Sequence, residues 1–179
     1  MMEIATAANG WVNTIDSQKT EVLDIARHII KHNIYCTLST CSLEGEPWIS
    51  PVFFAYDENW TIYWSSATAS QHSQNIYNNN GKVAIVIFHS REPGETVQGL
   101  YLQGKASELN INQFEPVYQL LEQRAGKQFH RTLEDYIGNS PRRIYQFQAQ
   151  KAWITGKRVP VGNQLVDTKI ELSWLKLSH

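Results

Sequence analysis

The chain has 179 residues, 42% hydrophobic, 11% aromatic and 18% charged, with a formal net charge of -1. That length suits one domain with one substantial core, and the balance excludes disorder and the compositionally biased classes. Lys and Arg are scattered, which argues against nucleic acid; no apolar run approaches a membrane span, and the start MMEIATAANGWVNTID has no basic, apolar leader, so no membrane association and a cytoplasmic location are expected.

Residues 1–15 are expected to form a mobile N-terminal arm, with Trp11 available to dock it, and residues 16–179 a single domain. After Asp16 and Ser17, either of which could cap a helix, Val22, Ile25, Ala26 and Ile29 recur at the spacing of one helical face. Cys36 and Cys41, the two cysteines, have no companion ligand spacing, so thiols in a reducing compartment are expected.

Strand signals follow. Residues 34–40 are rich in β-formers, Glu44-Gly45 makes a turn, and residues 47–56 resume an extended run up to Asp57-Glu58-Asn59. Pro47 and Pro51 lack the N–H that a ladder needs, which places this second strand at a sheet edge or rim. A third strand spans residues 60–66, and a short helix is expected around residues 72–79. The run Lys82-Val-Ala-Ile-Val-Ile-Phe88 is apolar at successive positions, a pattern of burial on both faces, one of which a second subunit could close. Residues 89–96, with Pro93-Gly94, form a loop. Residues 97–110 read as a long strand in which Gly99 and Gly104 suggest bulges or the close approach of another group.

Residues 112–136 are helical in composition, with Phe114, Val117, Leu120 and Leu121 along one face, and 142–148, 152–155 and 164–172 are candidate closing strands. The early strands lie too close in sequence for parallel crossovers. The expected class is mainly β with flanking helices (α+β), an antiparallel closed or split β-barrel.

Chemistry concentrates in SSATASQH, residues 65–72, where four hydroxyls and a histidine join a strand to a helix. Hydroxyls, backbone N–H groups and the positive end of a helix converging on one spot suit an anion, with His72 in the first turn and Asn75 on its face. The same residues also suit plain caps and turns, and both readings stand on spacing alone. His28 and His32 are four apart with no third ligand nearby, so no metal is expected, and no serine sits in a nucleophile elbow.

The line GEPWISPVFFAYDENWTIYWSSATASQHSQNIYNNNGKVAIVIFHS, followed by VQGLYLQGKASEL, resembles the FMN-binding split-barrel family that includes the pyridoxamine 5'-phosphate oxidases. The signals are a G-x-P before the second strand, an aromatic third strand ending in Ser, S-x-H leading to N-I, a K-V-A strand and a G-K-A in the next. They run in order over about residues 20–155 and are strongest from Gly45 to Leu109. The resemblance implies the split-barrel fold and a homodimer with two FMN sites between its subunits. It places Ser65, Ser66, Ser70, Gln71 and His72 around the FMN phosphate and Ile49, Ser50, Pro51 and Val52 along the isoalloxazine or ribityl chain. Gln98 and Trp153 would approach from the partner subunit.

The chain departs from the vitamin oxidases in two places. Where they carry an Arg on the second strand and an Arg-Lys pair after the third, it has Ser50 and Gln71-His72; where they carry a C-terminal Arg-x-His, it has Trp153-Ile-Thr-Gly-Lys-Arg-Val159. Neutral donors replace charge-assisted ones. Two functions follow from the resemblance: a flavin-dependent oxidoreductase acting on an unidentified small substrate, or a non-catalytic binder of FMN, haem or a deazaflavin that stores or senses it.

Overall fold

The structure, a computed structural model, describes residues 4–16, 19–89 and 97–173. In chain order the elements are β1 (Val12–Asn13), α1 (Thr20–His32), β2 (Tyr35–Cys41), β3 (Pro47–Phe53), β4 (Ala55–Tyr56), β5 (Ile62–Ala67) and α2 (Gln71–Asn78). There follow β6 (Lys82–Phe88), β7 (Gly99–Glu108), α3 (Phe114–Ala125), β8 (Arg142–Thr155), β9 (Val159–Val161), β10 (Gln164–Val166) and β11 (Lys169–Glu171). The fold is mainly β and its pairing is dominantly antiparallel. No helix among the described residues is long and apolar enough to cross a membrane. The chain divides into two compact units, Ile34–Ile85 with Gln103–Ala149, and Met1–Asn33 with Val86–Leu102 and Gln150–His179.

In the first unit, β2 and β3 form an antiparallel hairpin in which Cys36 faces Val52, Thr37 faces Pro51 and Leu38 faces Ser50. Among the described residues β3 ends the strand order, with β2 as its one neighbour, which is where two prolines can sit without breaking a ladder. The extended run stops at Phe54, whose N–H leaves the strand to bond the Ile34 carbonyl at 3.2 Å. β5 pairs with β4 on one side and with β8 on the other, Ser65 facing Ile144 and Ser66 facing Arg143. Trp64 and Tyr145, both fully buried, stack across that pair with ring centroids 5.6 Å apart.

The helical stretch after β7 is interrupted. α3 buries Phe114, Val117 and Leu121 against Tyr63, Tyr136 and Ile144, with Leu120 half-buried beside them. It stops at Gly126, whose φ of 65° takes the left-handed conformation that ends helices, and a 3-10 turn at Leu133–Tyr136 follows. Burial of Cys36 pushes its thiol up to about 12, and both cysteines are free.

In the second unit, α1 buries Val22, Ala26, Ile29 and Ile30; Ile30 takes the place expected of Ile25, which is 38% exposed. The residue before the helix is Lys19, with no side-chain cap; Asp16 pairs with Lys19 instead, and Ser17 lies outside the described residues. Within the expected N-terminal arm, Val12 and Asn13 pair in parallel with Lys169 and Ile170, and Ala5 is buried. Trp11 holds the arm through its backbone, its carbonyl accepting from the Lys169 N–H at 3.0 Å.

Three sequence expectations change. Residues 142–155 form one 14-residue strand rather than two. The 164–172 segment divides into β10, paired with β9, and β11, paired with β8. β6 alternates, with Val83, Ile85 and Ile87 buried and Lys82, Ala84 and Phe88 exposed, so this chain buries one face of that strand. The loop expected at residues 89–96 lies outside the described residues from position 90.

Candidate functional site

The short α2 docks on the β2–β3 hairpin through polar groups. His72, Ser73, Asn75 and Ile76 are its buried residues, and only Ile76 is apolar. Each buried polar group therefore needs a partner. Asn75 donates to Thr40 Oγ1 at 3.0 Å and accepts from Gln71 Nε2 at 2.9 Å. One turn on, Asn79 donates to Cys41 Sγ at 2.7 Å.

At the start of the helix His72 joins three elements. Its Nδ1 is 3.1 Å from Ser50 Oγ on β3, and its Nε2 is 2.8 Å from Ser66 Oγ on β5 and 3.2 Å from Ser70 Oγ. Ser50 also accepts from the Trp48 indole at 3.1 Å. Ser70 occupies the N-cap position yet makes no side-chain cap; its hydroxyl donates to the Ala67 carbonyl at 2.8 Å. The first helical bond runs from Gln74 N–H to Ser70 O. The amides of Gln71, His72 and Ser73 precede it, so they have no intrahelical acceptor, and they carry the positive end of the helix dipole.

The sequence-derived residues separate accordingly. Ser66, Ser70, Gln71 and His72 come together at this helix start, and Ser50 joins them. Ser65, one residue from Ser66 on a strand, points to the opposite face, where it accepts from Arg142 Nη1 at 3.3 Å. The four β3 residues split in the same way: Ile49 and Pro51 are exposed, while Ser50 is half-buried and Val52 buried. Gln98 and Trp153 belong to the other unit. Gln98 is exposed just ahead of β7, and Trp153 is half-buried opposite Glu171.

Trp48 was legible and overlooked, because period-two alternation places it on the face of Ser50. Arg142 had no local signal. Its contact with Ser65 is set by the β5–β8 register, between residues 77 apart in sequence.

Among the described histidines, His72 alone is buried. Burial holds its ring below the ordinary histidine value of 6.5, because charging it would strip water from an imidazolium. The unfolded chain thus takes up a proton at a pH where the folded ring stays neutral. Stability tied to this ring is complete above the unfolded value and is lost as pH falls below it toward the folded one. Thermal melting should show a midpoint that drops as pH falls through about 6.5, with His72→Gln flattening that drop. An unchanged acid slope in the variant would assign the loss to other groups.

The comparisons accord with this architecture. The family model for pyridoxamine 5'-phosphate oxidase matches residues 23–156. No curated protein matches the sequence. Among solved structures, the heme binding protein from Mycobacterium smegmatis superposes with a TM-score of 0.60 at 18% identity, over 83% of this chain and 60% of that one. Campylobacter jejuni ChuZ gives 0.62 at 17% identity, over 81% and 58%. HutZ, the heme storage protein from Vibrio cholerae, gives 0.55 at 14%, over 74% and 94%. The chain thus spans about three-fifths of the length of the first two. At these identities the likenesses show the fold, which is of the split-barrel type. With the family model covering residues 23–156, the chain belongs to the pyridoxamine 5'-phosphate oxidase family.

Proposed function

We propose that the chain binds FMN, with the phosphate at the start of α2 and the ring along the exposed side of β3, and that it serves as a flavin-dependent oxidoreductase for a small substrate. The observation that carries this reading is the uncapped first turn of α2 beside Ser66 and His72. Three amides without intrahelical acceptors and a hydroxyl cluster fit a phosphate, since helix starts favour anions and hydroxyls supply further donors. Ile49 and Pro51, exposed on an edge strand, offer an apolar surface to a planar ring. When bound, the flavin would supply hydride exchange at its N5, and the protein's part would be to position it and exclude water.

A homodimer is part of the same proposal. Tyr35 and Ile49, exposed at 60% and 68%, lie on one face of the β2–β3 hairpin, a surface that a second protomer would cover.

The test is a titration of the purified protein with FMN and with riboflavin, followed by addition of reduced nicotinamide to the loaded protein. The expected results are saturable quenching of FMN fluorescence, weaker binding of riboflavin, and bleaching of the flavin band. Absence of FMN binding overturns the proposal; binding without bleaching by nicotinamides or amines favours storage or sensing. A haem reading draws on the likeness to the heme binding protein of M. smegmatis and the heme storage protein of V. cholerae. It meets an obstacle at His72, whose two ring nitrogens both lie within hydrogen-bonding distance of serine hydroxyls. The same titration with haem decides it, through the presence or absence of a shifted Soret band.

A further inference from the structure

The hydrogen bonds around His72 can be given a direction from both ends. At one end stands the Trp48 indole, which can only donate, so Ser50 Oγ accepts from it. Ser50 keeps its own proton, and His72 Nδ1 lies 3.1 Å away. At the other end Ser70 Oγ has two acceptors other than the ring, the Ala67 carbonyl at 2.8 Å and Ser73 Oγ at 2.9 Å, and its one proton goes to one of them. With that proton committed, Ser70 Oγ meets His72 Nε2 at 3.2 Å as an acceptor, and Nε2 must carry the hydrogen. Burial disfavours a second ring proton, so Nδ1 is bare and receives the Ser50 proton. The two ends agree on a single neutral tautomer.

Within this network of described residues, one hydroxyl is left with a proton to give. Ser66 Oγ, 2.8 Å from Nε2, accepts the imidazole N–H, and among the described residues its own hydroxyl proton has no acceptor. Ser66 is 8% exposed and adjoins the first turn of α2, whose first three amides have no intrahelical acceptor.

We infer that His72 is a positioning residue, wired as its neutral Nε2–H tautomer, which turns the Ser66 hydroxyl into a dedicated donor for the anionic end of the ligand. This rests on the FMN reading of the same site. It also revises the part expected of His72, which acts on the phosphate through Ser66 rather than by touching it. The relay begins at Trp48 on the exposed edge strand, so whatever covers that indole is connected through four side chains to the donor at the other end.

The wiring is tested without any flavin. In 15N spectra of the full-length protein, with the His72 signals identified by their loss in His72→Gln, Nε2 should be protonated and Nδ1 bare at neutral pH. A protonated Nδ1 with a bare Nε2, or a charged ring, overturns the relay whatever FMN does.

FMN titrations test the consequence. Ser66→Ala should weaken binding about tenfold, the effect of one lost hydrogen bond to a charged group. His72→Gln keeps an acceptor and a donor and should retain most of the affinity. His72→Leu fills the space without polar atoms and should lose about as much as Ser66→Ala. Equal binding by the Gln and Leu variants would mean that the imidazole is filler, and the positioning role falls. Wild-type protein that shows the expected tautomer but binds no FMN supports the wiring and overturns the flavin reading, so the two failures are distinguishable.

Discussion

Gly104→Ala should lower the melting midpoint by roughly 6–12 °C, which corresponds to about 3 kcal/mol for a chain of this length. Gly104 lies in the middle of β7, where the strand passes against β8. A Cβ at this position would overlap the Gln148 carbonyl oxygen and lie 2.9 Å from its carbon and 3.0 Å from Ala149 Cα. All three obstacles are backbone, so no rotamer change can relieve them, and the two strands would have to move apart. Gly126 makes the comparison informative. It has a φ of 65° and open space where a Cβ would go, so Gly126→Ala meets only the left-handed backbone penalty, about 1–2 kcal/mol. Circular dichroism melts of the two variants should therefore rank Gly104→Ala well below Gly126→Ala. The reverse ranking would show that β7 and β8 do not pass so closely.

Gly104 also shows what the sequence can carry. A glycine interrupting a strand of otherwise large residues signals that something comes near, but the identity of the neighbour depends on the register of a strand 44 residues away. The same division runs through the site. Pro47 and Pro51 announce an edge strand because the missing N–H is a local fact, and β3 lies at an edge. The SSATASQH junction announces a helix start with polar groups around it, and Ser66, Ser70 and His72 meet there.

Other features have no local signature. That Ser65 faces Arg142 while Ser66 faces His72 follows from which face of β5 looks toward α2, and that is a tertiary choice. By contrast, the split of residues 112–136 into α3 and a 3-10 turn had a local signal in Gly126, whose helix-ending role outweighs the helical composition around it. The β6 pattern is different again. Its seven apolar-rich residues read as buried on both sides, but in this chain Ala84 and Phe88 are exposed. The proposed dimer would cover that second face.

Gln71→Glu should weaken FMN binding at least tenfold while leaving the fold within about 1 kcal/mol of the parent, and these opposite demands on one residue make it the sharpest test of where the phosphate lies. Gln71 is exposed in the first turn of α2, and the helix has no acidic residue there. A carboxylate at this position interacts favourably with the helix dipole by about 0.3–1 kcal/mol. It gives up the bond from Gln71 Nε2 to Asn75 Oδ1, which is worth a similar amount, so stability barely moves. A phosphate bound at the same turn would feel the new charge directly. At about 6 Å in water-like surroundings each pair of unit charges repels by roughly 0.7 kcal/mol, and a phosphate monoester carries nearly two at neutral pH. The sum, about 1.4 kcal/mol, is tenfold in affinity, and it grows if the site is drier than bulk water. Riboflavin, which lacks the phosphate, should bind the variant and the parent alike, and added salt should narrow the FMN difference. Gln71→Lys should shift FMN affinity in the other direction and cost a little helix stability. If Gln71→Glu weakened FMN and riboflavin equally, or neither, the anionic end of the ligand would have to lie away from α2, and the reading of the SSATASQH junction as its seat would be lost.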